Sequence, residues 1–403
     1  MKTVFIKTFG CTLNQRDGED IVTGMDVAVC EKNADILIIN TCGVKEQTET
    51  KIYKYIRENI LQLIGKEIIV TGCLVDINSQ ALKTLLPGAR LYGVKEKDAL
   101  LKYLEEYKNK AKQVTKKEIT KAIIIANGCL GNCSYCAVKL ARGKLKSKSI
   151  EEVIKEIKTA VKNDAKEILL TAQDTACYGL DINSSLTELL REAVKIDGDF
   201  KIRLGMGNPQ YLELHKTEIV DIFKSKKLYK FLHIPLQSGS DRILKDMHRN
   251  YTKNSYLALI KYFKKNICGL TLATDIIVGY PTETEKEFLE TLEVIRECKF
   301  DVVNISRFSR RKGIEASRHK ELAGAIKKQR SRRATRLCYE IALDNNKKLI
   351  GKRKVVVITC LGKNNTSIGR TKEYKLVVVP GRHKLGEKIN VKIKSARVGY
   401  LIC

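Results

Sequence analysis

The sequence has little of what membrane proteins and secreted proteins need. No apolar run approaches the length of about 20 residues that a membrane-spanning helix requires. The first residues lack a continuous apolar stretch, so we expect no secretory signal and a soluble, cytoplasmic protein. In such a reducing compartment, the 13 cysteines indicate metal ligands and buried thiols rather than a disulfide framework.

Acidic residues are also scarce relative to basic ones. The chain has 46 Asp and Glu against 75 Lys and Arg, which gives a formal net charge of +29. A surplus of this size favours a polyanionic partner, most often nucleic acid. The alternative is a solvated, lysine-rich surface that has no such partner.

Three cysteines stand close together directly after a short apolar run. Cys129, Cys133 and Cys136 have the spacing Cys-x3-Cys-x2-Cys, with no fourth cysteine nearby. Three thiolates can hold three irons of a 4Fe–4S cluster and leave the fourth iron open, which indicates chemistry rather than electron storage. Structural zinc is the competing interpretation, but it usually needs a second cysteine pair or a His-x3-5-His pair. The five histidines are scattered and form no such pair.

The first hundred residues alternate short apolar runs with amphipathic stretches. We predict strands over 4–9, 34–40 and 67–71, and a helix over 47–63. This βαβα pattern predicts a doubly wound parallel sheet in an N-terminal domain of residues 1–110. Residues 108–121 are rich in lysine and poor in apolar side chains, so we predict a linker there.

A cysteine follows each of these three predicted strands, and each has a glycine neighbour: Cys11, Cys42 and Cys73. The carboxyl ends of the strands of a doubly wound sheet face one crevice, so we expect the three thiols to meet there. Three thiolates again suit a cluster with one open iron. The alternative is three buried cysteines that pack as small apolar side chains.

A longer alternation of strands and helices follows the linker. The predicted strands are 122–126, 167–171, 201–204, 231–235, 271–278 and 302–306, and the predicted helices are 150–163, 186–194, 256–265 and 285–298. Six βα units predict a full or partial β/α barrel within residues 120–345. Residues 317–349 form a basic helical connector. Active groups in such barrels lie at the carboxyl ends of the strands, and Cys129 and Gln173-Asp174 occupy such positions.

The last segment, residues 346–403, changes character. Predicted strands over 355–359, 374–379 and 389–394 alternate with glycine turns, and residues 350–403 contain 13 Lys and Arg against 2 Asp and Glu. This pattern predicts a small, basic all-β barrel, a fold that commonly binds nucleic acid through a charged face. The alternative is a barrel that only caps the chain.

Taken together, these motifs resemble one enzyme family. Cys-x3-Cys-x2-Cys with an aromatic residue, Tyr135, before the last cysteine is similar to the motif of radical S-adenosylmethionine (SAM) enzymes. Residues 8–14, 40–44 and 72–73 resemble the three signatures of the methylthiotransferase branch, and the basic C-terminal barrel resembles its TRAM domain. Residues 171–179 and 233–240 are most similar to the archaeal and eukaryotic members, which act on N6-threonylcarbamoyladenosine in tRNA, beside the anticodon.

The resemblance implies SAM and two 4Fe–4S clusters. Cys129, Cys133 and Cys136 would hold the cluster that cleaves SAM to methionine and a 5′-deoxyadenosyl radical, which activates the C2–H bond of the modified adenine. Cys11, Cys42 and Cys73 would hold an auxiliary cluster that presents a sulfur species to be methylated by a second SAM. The product would be 2-methylthio-N6-threonylcarbamoyladenosine at tRNA position 37. An external electron donor and a sulfur source would be partners, and no membrane is involved.

The resemblance also suggests which polar residues meet the ligands. Candidate SAM contacts are Tyr135, Gln173, Asp174, Arg203, Gln237, Ser238 and Asp275. The alternative for each is a polar group that satisfies hydrogen bonds at the barrel mouth. Candidates to bind the threonylcarbamoyl carboxylate or tRNA phosphates are Arg307, Arg310, Arg311 and Lys312, unless they form a solvated loop. No side chain is assigned as a catalytic acid or base. The run 308–313 lacks both prolines of the Pro-Arg-Pro-Gly-Thr run that is frequent in the family.

Other functions compete with this one. The same chemistry could act on isopentenyladenosine in tRNA or on a ribosomal protein, although the basic tail favours RNA over protein. A protein of another class, a non-catalytic iron–sulfur RNA-binding protein or redox sensor, would need neither an open iron nor a SAM site. Only the enzyme is expected to cleave SAM to 5′-deoxyadenosine.

Overall fold

A computed structural model describes residues 2–28, 30–44, 46–63, 65–108 and 118–403. These residues form two compact units. Unit one comprises the described residues of 1–116 together with 127–145 and 309–317, and unit two comprises those of 117–126 together with 146–308 and 318–403. No helix in the described part of the chain is long and apolar enough to cross a bilayer.

Unit one is built on a parallel sheet. Its elements are β1 (Val4–Thr8), α1 (Thr12–Ile21), β2 (Ile36–Thr41), α2 (Glu46–Leu63), β3 (Glu67–Gly72), α3 (Cys73–Leu85), β4 (Arg90–Tyr92) and α4 (Lys97–Leu104). The strands run in the order β1-β2-β3-β4, and every pair is parallel. Strand β2 is buried along its whole length, as its continuous apolar run requires in a sheet covered on both faces. Leu37 and Ile39 pack with residues of α2 and α3, whereas Ile36 and Ile38 pack with residues of α1 and α4.

The prediction of a doubly wound sheet is confirmed. After α1, Val27 forms a parallel bridge to Val4, and the N–H of Val4 donates to the carbonyl of Asp26. Because β2 pairs with the other side of β1, the chain first moves outward to one side of β1 and then crosses to the opposite side. The switch point of the sheet therefore lies between β1 and β2, where ligands of such folds bind at the carboxyl ends of the strands.

The elements that follow along the chain, in both units, are β5 (Thr120–Ile124), β6 (Ala126–Asn127), α5 (Val138–Arg142), β7 (Lys146–Ser147), α6 (Ile150–Lys162), β8 (Glu167–Thr171), α7 (Leu186–Lys195), β9 (Lys201–Leu204), α8 (Pro209–Leu214), α9 (Lys216–Ile222), β10 (Phe231–His233), α10 (Asp241–Asp246), α11 (Lys253–Asn266), β11 (Thr271–Val278), α12 (Glu285–Cys298), β12 (Val302–Arg307) and α13 (Gly324–Lys347). The predicted linker falls mainly on 109–117, outside the described residues, and its last residues, Thr120 and Lys121, belong to β5.

Unit two contains a partial β/α barrel, as predicted. Strands β5, β8 and β9 form one parallel sheet, and β10, β11 and β12 form another. A parallel bridge from Met206 to His233 joins the two sheets just beyond β9. The described residues show no pairing between β12 and β5, so the barrel stays open. Four of its helices start at hydroxyl caps with a reciprocal capping box: Ser149, Ser185, Thr252 and Thr284.

The C-terminal part of unit two is a small all-β barrel, as predicted. Its strands are β13 (Arg353–Leu361), β14 (Thr366–Thr371), β15 (Leu376–Pro380), β16 (Lys388–Lys392), β17 (Ser395–Ala396) and β18 (Leu401–Ile402). The sheet order is β16-β13-β14-β15-β18-β17. Because β16 and β17 are consecutive parts of one run, that run supplies both edges and the sheet closes on itself. Closure removes exposed strand edges, and the interior is filled by residues such as Val356 and Val377.

Candidate iron–sulfur and cofactor sites

The structure brings Cys11, Cys42 and Cys73 together at the carboxyl ends of β1, β2 and β3. The N–H of Cys11 donates to the sulfur of Cys42, and the charges of Cys11 and Cys73 both act on the Cys42 thiol. Gly10 makes this approach possible: its φ is +107°, and a Cβ at that position would lie 2.7 Å from the Cys42 Sγ. A side chain there would clash, so the turn requires glycine.

Cys42 and Cys73 are buried, whereas Cys11 is exposed. Burial acts on the protonation of the two buried thiols. It raises the pKa of Cys42 to about 11, although the N–H groups of Val44 and Cys11 oppose the shift. Burial also raises the pKa of Cys73, and the guanidinium of Arg142 opposes that shift. Because thiolates are the ligands, metal binding must release these protons. Three converging sulfurs fit a cluster that leaves one iron open.

The second set of cysteines is also grouped, and it lies in unit one as well. The N–H of Gly131 donates to the Sγ of Cys129 over 3.2 Å, and a Cβ on Gly131 would lie 3.3 Å from that sulfur and 3.6 Å from the Sγ of Cys133. Burial, together with the neighbouring charge of Cys133, raises the pKa of Cys136 to about 11. Tyr135 is half-buried within this loop. The donor set again fits three irons of a cluster.

Sequence reasoning missed Arg142, at the end of α5. Its side chain is 2% exposed, its Nη2 donates to Asp17 Oδ2 over 2.7 Å, and its Nε lies 3.4 Å from the Cys73 Sγ. Arg142 therefore connects the segment that carries Cys129 to the three strand-end cysteines. No local pattern marks it, because its partners lie far away in the sequence.

Three buried acceptor atoms lie near the carboxyl ends of barrel strands in unit two. They have no hydrogen-bond partner among the described residues. They are Oε1 of Gln173, Oδ2 of Asp174 and Oε1 of Gln237. The other oxygen of Asp174 accepts from the N–H groups of Ala176 and Asn208, each over 3.0 Å. Buried polar atoms are normally hydrogen-bonded, so orphaned acceptors at one barrel edge indicate a ligand that carries donors. The amino group, the ribose hydroxyls and the adenine amine of SAM are such donors.

Two other predicted SAM contacts are occupied by protein groups. The Oγ of Ser238 lies 3.5 Å from Thr291 Oγ1 and accepts from the N–H of Ser240 over 3.3 Å. Asp275 contacts His233 and Asn304, over 2.9 and 2.8 Å. These contacts give both side chains a role in holding the barrel together.

Arg203 lies in a different environment from Gln173 and Gln237. Its guanidinium stacks on the ring of Phe231 at 5.3 Å and on that of Tyr374 at 5.9 Å. Tyr374 comes from the turn between β14 and β15, and its ring also contacts Tyr229, just before β10. Burial lowers the pKa of Arg203. The structure thus places Arg203 against aromatic rings at the amino-terminal end of β10.

The predicted basic loop is divided between the units. Arg307 ends β12 in unit two and is exposed. In unit one, the Arg310 guanidinium donates to the Ser317 carbonyl over 2.6 and 3.0 Å, and Lys312 is exposed. Arg311 is largely buried and forms an ion pair with Glu49, and its guanidinium also interacts electrostatically with Cys42. Its buried Nη2 has no hydrogen-bond partner among the described residues.

Comparison with protein-family models finds three matches along the chain. Residues 3–92 match "Uncharacterized protein family UPF0004", residues 123–295 match the radical SAM superfamily, and residues 347–402 match the TRAM domain. The three matches follow the order of the predicted domains.

Curated relatives match almost the whole chain. A probable threonylcarbamoyladenosine tRNA methylthiotransferase of Archaeoglobus fulgidus is 39% identical over 99% of this chain and 97% of its own length. The chain belongs to this methylthiotransferase family. A member from Methanocaldococcus jannaschii is 39% identical over 98% of this chain and 95% of its own length. The threonylcarbamoyladenosine tRNA methylthiotransferase of Drosophila melanogaster is 32% identical over 98% of this chain and 76% of its own length.

Solved structures share the fold at low sequence identity. The radical S-adenosylmethionine methyltransferase TsrM of Kitasatospora setae, solved with cobalamin and a 4Fe–4S cluster, has a TM-score of 0.58 at 13% identity, over 78% of this chain and 77% of that one. The cobalamin-dependent radical enzyme OxsB has a TM-score of 0.52 at 11% identity, over 79% of this chain and 55% of that one. At this identity the likeness shows the fold alone, and it agrees with the match of residues 123–295 to the radical SAM superfamily.

Proposed function

We propose that this chain methylthiolates C2 of N6-threonylcarbamoyladenosine at position 37 of tRNA. The observation that carries the proposal is the presence of two separate three-cysteine sets in unit one, in a chain of this family. A protein that only binds RNA does not require two cluster sites that each leave one iron without a protein ligand. We assign the N-terminal methylthiotransferase domain to residues 1–110, the radical SAM domain to 120–345 and the TRAM-like domain to 346–403.

Each set of cysteines has its own assignment. Cys129, Cys133 and Cys136 hold the radical SAM cluster, and Cys11, Cys42 and Cys73 hold the auxiliary cluster. When bound, the clusters and SAM supply an electron, a carbon-centred radical and a methylated sulfur. Gly10 supports the auxiliary set, because only glycine lets the Cys11 turn approach Cys42 so closely.

We assign SAM binding to the buried acceptors at the barrel edge that lack a hydrogen-bond partner among the described residues. Gln173, Asp174 and Gln237 offer buried oxygens that gain partners when a donor-bearing ligand binds. Ser238 and Asp275 support them through their own protein contacts. Tyr135 offers its ring or backbone to the adenine. Arg203 remains a candidate from sequence, although its contacts with aromatic rings favour a packing role.

The substrate assignment rests on charge. The modified adenine carries a carboxylate, and a buried carboxylate needs a cationic partner. Arg311 has one buried nitrogen without a hydrogen-bond partner among the described residues, which makes it the preferred candidate for this contact. Arg307, Arg310 and Lys312 then contact tRNA phosphates. An isopentenyl group would instead require an apolar pocket.

Transfer RNA is also the partner of the C-terminal barrel. Residues 350–403 carry 13 basic against 2 acidic side chains, and phosphate binding scales with the charge that is neutralised. We place the protein in the cytoplasm, and its remaining proposed partners are an external electron donor and a sulfur source.

Nucleoside mass spectrometry tests the proposal. Anaerobic, reconstituted protein is incubated with SAM, a reductant, a sulfide source and tRNA that carries threonylcarbamoyladenosine. We expect a methylthio mass gain on that nucleoside, lost in Cys11→Ala and in Cys133→Ala and kept in Cys298→Ala, whose buried thiol lies on α12.

The other outcomes separate the competing functions. Formation of 5′-deoxyadenosine without a modified nucleoside keeps the radical enzyme and overturns the substrate; isopentenyladenosine tRNA and ribosomal protein are then tested in its place. If protein with two loaded clusters forms neither product, a non-catalytic iron–sulfur protein replaces the enzyme.

A further inference from the structure

Arg142 is held in one orientation by oxygen atoms on three sides. Its Nη2 donates to Asp17 Oδ2 over 2.7 Å and to Asn14 Oδ1 over 3.4 Å, and its Nη1 donates to Asn127 Oδ1 over 3.2 Å. The second oxygen of Asp17 is held by Lys97 Nζ at 3.0 Å. With a side chain only 2% exposed, Arg142 cannot rotate away without leaving a buried charge unpaired. The direction of the remaining nitrogen, Nε, is therefore fixed.

That nitrogen is directed at sulfur. It lies 3.4 Å from the Sγ of Cys73, the first residue of α3. The sulfur of Cys42, by contrast, accepts from the backbone N–H groups of Val44 and Cys11. Among the described residues, Cys73 is thus the one cysteine of this set whose sulfur accepts a hydrogen bond from a cationic side chain.

A cationic donor at a ligand sulfur has a defined effect on an iron–sulfur cluster. It withdraws electron density from the thiolate and stabilises the reduced, more negative state, so that the reduction potential rises. The effect is strong where the site is buried, because the local dielectric is low. Asp17, on the far side of the guanidinium, partly offsets the positive charge.

We propose that Arg142 is a positioning residue that raises the reduction potential of the auxiliary cluster through its hydrogen bond to Cys73. The inference rests on the proposed function, because it requires Cys11, Cys42 and Cys73 to hold a cluster. Arg142 acts through the ligand and contacts no reacting atom. The same side chain ties the segment beginning at Asn127, which carries the other cysteine set, to the auxiliary site.

The test uses the full chain with Cys129, Cys133 and Cys136 replaced by Ala, so that only the auxiliary cluster can form. Iron is counted, and the midpoint potential is measured by a redox titration followed by electron paramagnetic resonance. We expect Arg142→Met to shift the potential to a more negative value, Arg142→Lys to shift it less, and Asp17→Asn to shift it in the positive direction. Lys144→Met, which removes an exposed cation of the same segment, is the matched control and should not shift it.

Each result decides the inference. If Arg142 has a purely structural role, the variants lose iron, and the midpoint potentials of Arg142→Met and Asp17→Asn do not shift in opposite directions. If Arg142→Met binds no iron, Arg142→Lys and Asp17→Asn decide, and an unchanged potential in both overturns the inference. If Arg142→Met binds about four irons and its midpoint potential is unchanged, the inference about Arg142 is overturned but the auxiliary cluster is not. A parent variant that binds no iron overturns the auxiliary cluster itself, and the inference with it.

Discussion

His233 and Asp275 meet inside the barrel of unit two, where the Nε2 of the imidazole lies 2.9 Å from an Oδ2 of the carboxylate. The other carboxylate oxygen accepts from Asn304 Nδ2 over 2.8 Å. The three residues come from the adjacent strands β10, β11 and β12. Both oxygens of Asp275 are therefore engaged by side chains of the barrel itself.

We expect Asp275→Ala to destabilise unit two. The imidazole and the amide would both lose a partly buried acceptor, which costs about 1–3 kcal/mol of unfolding free energy. Urea denaturation of the variant and the wild-type protein measures the difference, and Asn304→Ala, which removes one of the two contacts, should show a smaller loss. If SAM affinity fell while stability stayed unchanged, Asp275 would be a SAM contact rather than a structural one.

Replacing Gln173 should have opposite effects on stability and on SAM binding. Its buried Oε1 has no hydrogen-bond partner among the described residues, so Gln173→Met removes an unsatisfied acceptor at similar volume. We expect a gain of about 1 kcal/mol in unfolding free energy and a roughly tenfold weaker binding of SAM. Thermal denaturation and equilibrium dialysis measure the two quantities. Gln80→Met, at an exposed site on α3, should change neither, and a tighter complex with SAM would contradict the assignment.

Glu287 should make the stability of unit two depend on acid. Its carboxylate accepts from Arg242 Nη2 and from the N–H of Thr284, over 2.7 and 2.8 Å, and the Arg242 hydrogen bond lowers its pKa from 4.5 to about 2. A lowered pKa means that the ionised form stabilises the fold. The contribution is complete above about pH 4.5 and is lost as the pH falls towards 2.

The test compares Glu287→Gln with wild-type protein from pH 7 to pH 3 by thermal denaturation. We expect a loss of about 1–3 kcal/mol at pH 7, which shrinks as the pH falls below about 4.5 because the carboxyl group of the unfolded wild-type chain then binds a proton that the folded protein does not. Glu293→Gln, exposed on the same helix, should show almost no loss at any pH. A gap that stays constant from pH 7 to pH 3 would contradict the shifted pKa.

The sequence predicted the barrel well where strands are apolar and helices are capped. Strands β8, β9 and β11 have the predicted bounds, because β8 and β11 contain compact apolar runs and β9 alternates basic residues with buried apolar ones. Strand β14 was missed: Thr366–Thr371 contains one large apolar residue, Ile368, and becomes a strand only because both of its neighbours pair with it. Tertiary pairing thus outweighed local propensity.

The sequence likewise predicted some features of the candidate sites and not others. The meeting of Cys11, Cys42 and Cys73 follows from a general rule, since parallel strands place their carboxyl ends at one edge. The environments of Arg142 and Arg203 do not, because their partners come from distant segments: Asp17 lies 125 positions from Arg142, and Tyr374 reaches Arg203 from the C-terminal barrel. Sequence spacing carries no information on such contacts.

Some basic side chains of helix α13 are buried and bind acceptors within the protein. Arg330 Nη1 donates to the side chain of Glu283 over 2.7 Å, with the two side chains 5% and 1% exposed, and Lys327 Nζ donates to the carbonyl of Phe308 over 3.1 Å. Net charge therefore overstates the surface available to RNA. Lys328 and Arg332, which are exposed on the same helix, remain free to meet phosphates.

This buried pair gives the last prediction. Arg330→Met alone should lower the unfolding free energy by about 3–5 kcal/mol, because it leaves the buried Glu283 carboxylate without its cation. Glu283→Gln alone should lower it less, because Arg330 keeps its ion pair with Glu285. The double variant should recover much of the loss, since the two replacements remove the charges together. Urea denaturation of the four proteins closes the double-mutant cycle. Lys328→Met should leave stability unchanged and weaken tRNA binding, whereas additive losses in the double variant would show that the pair is not coupled.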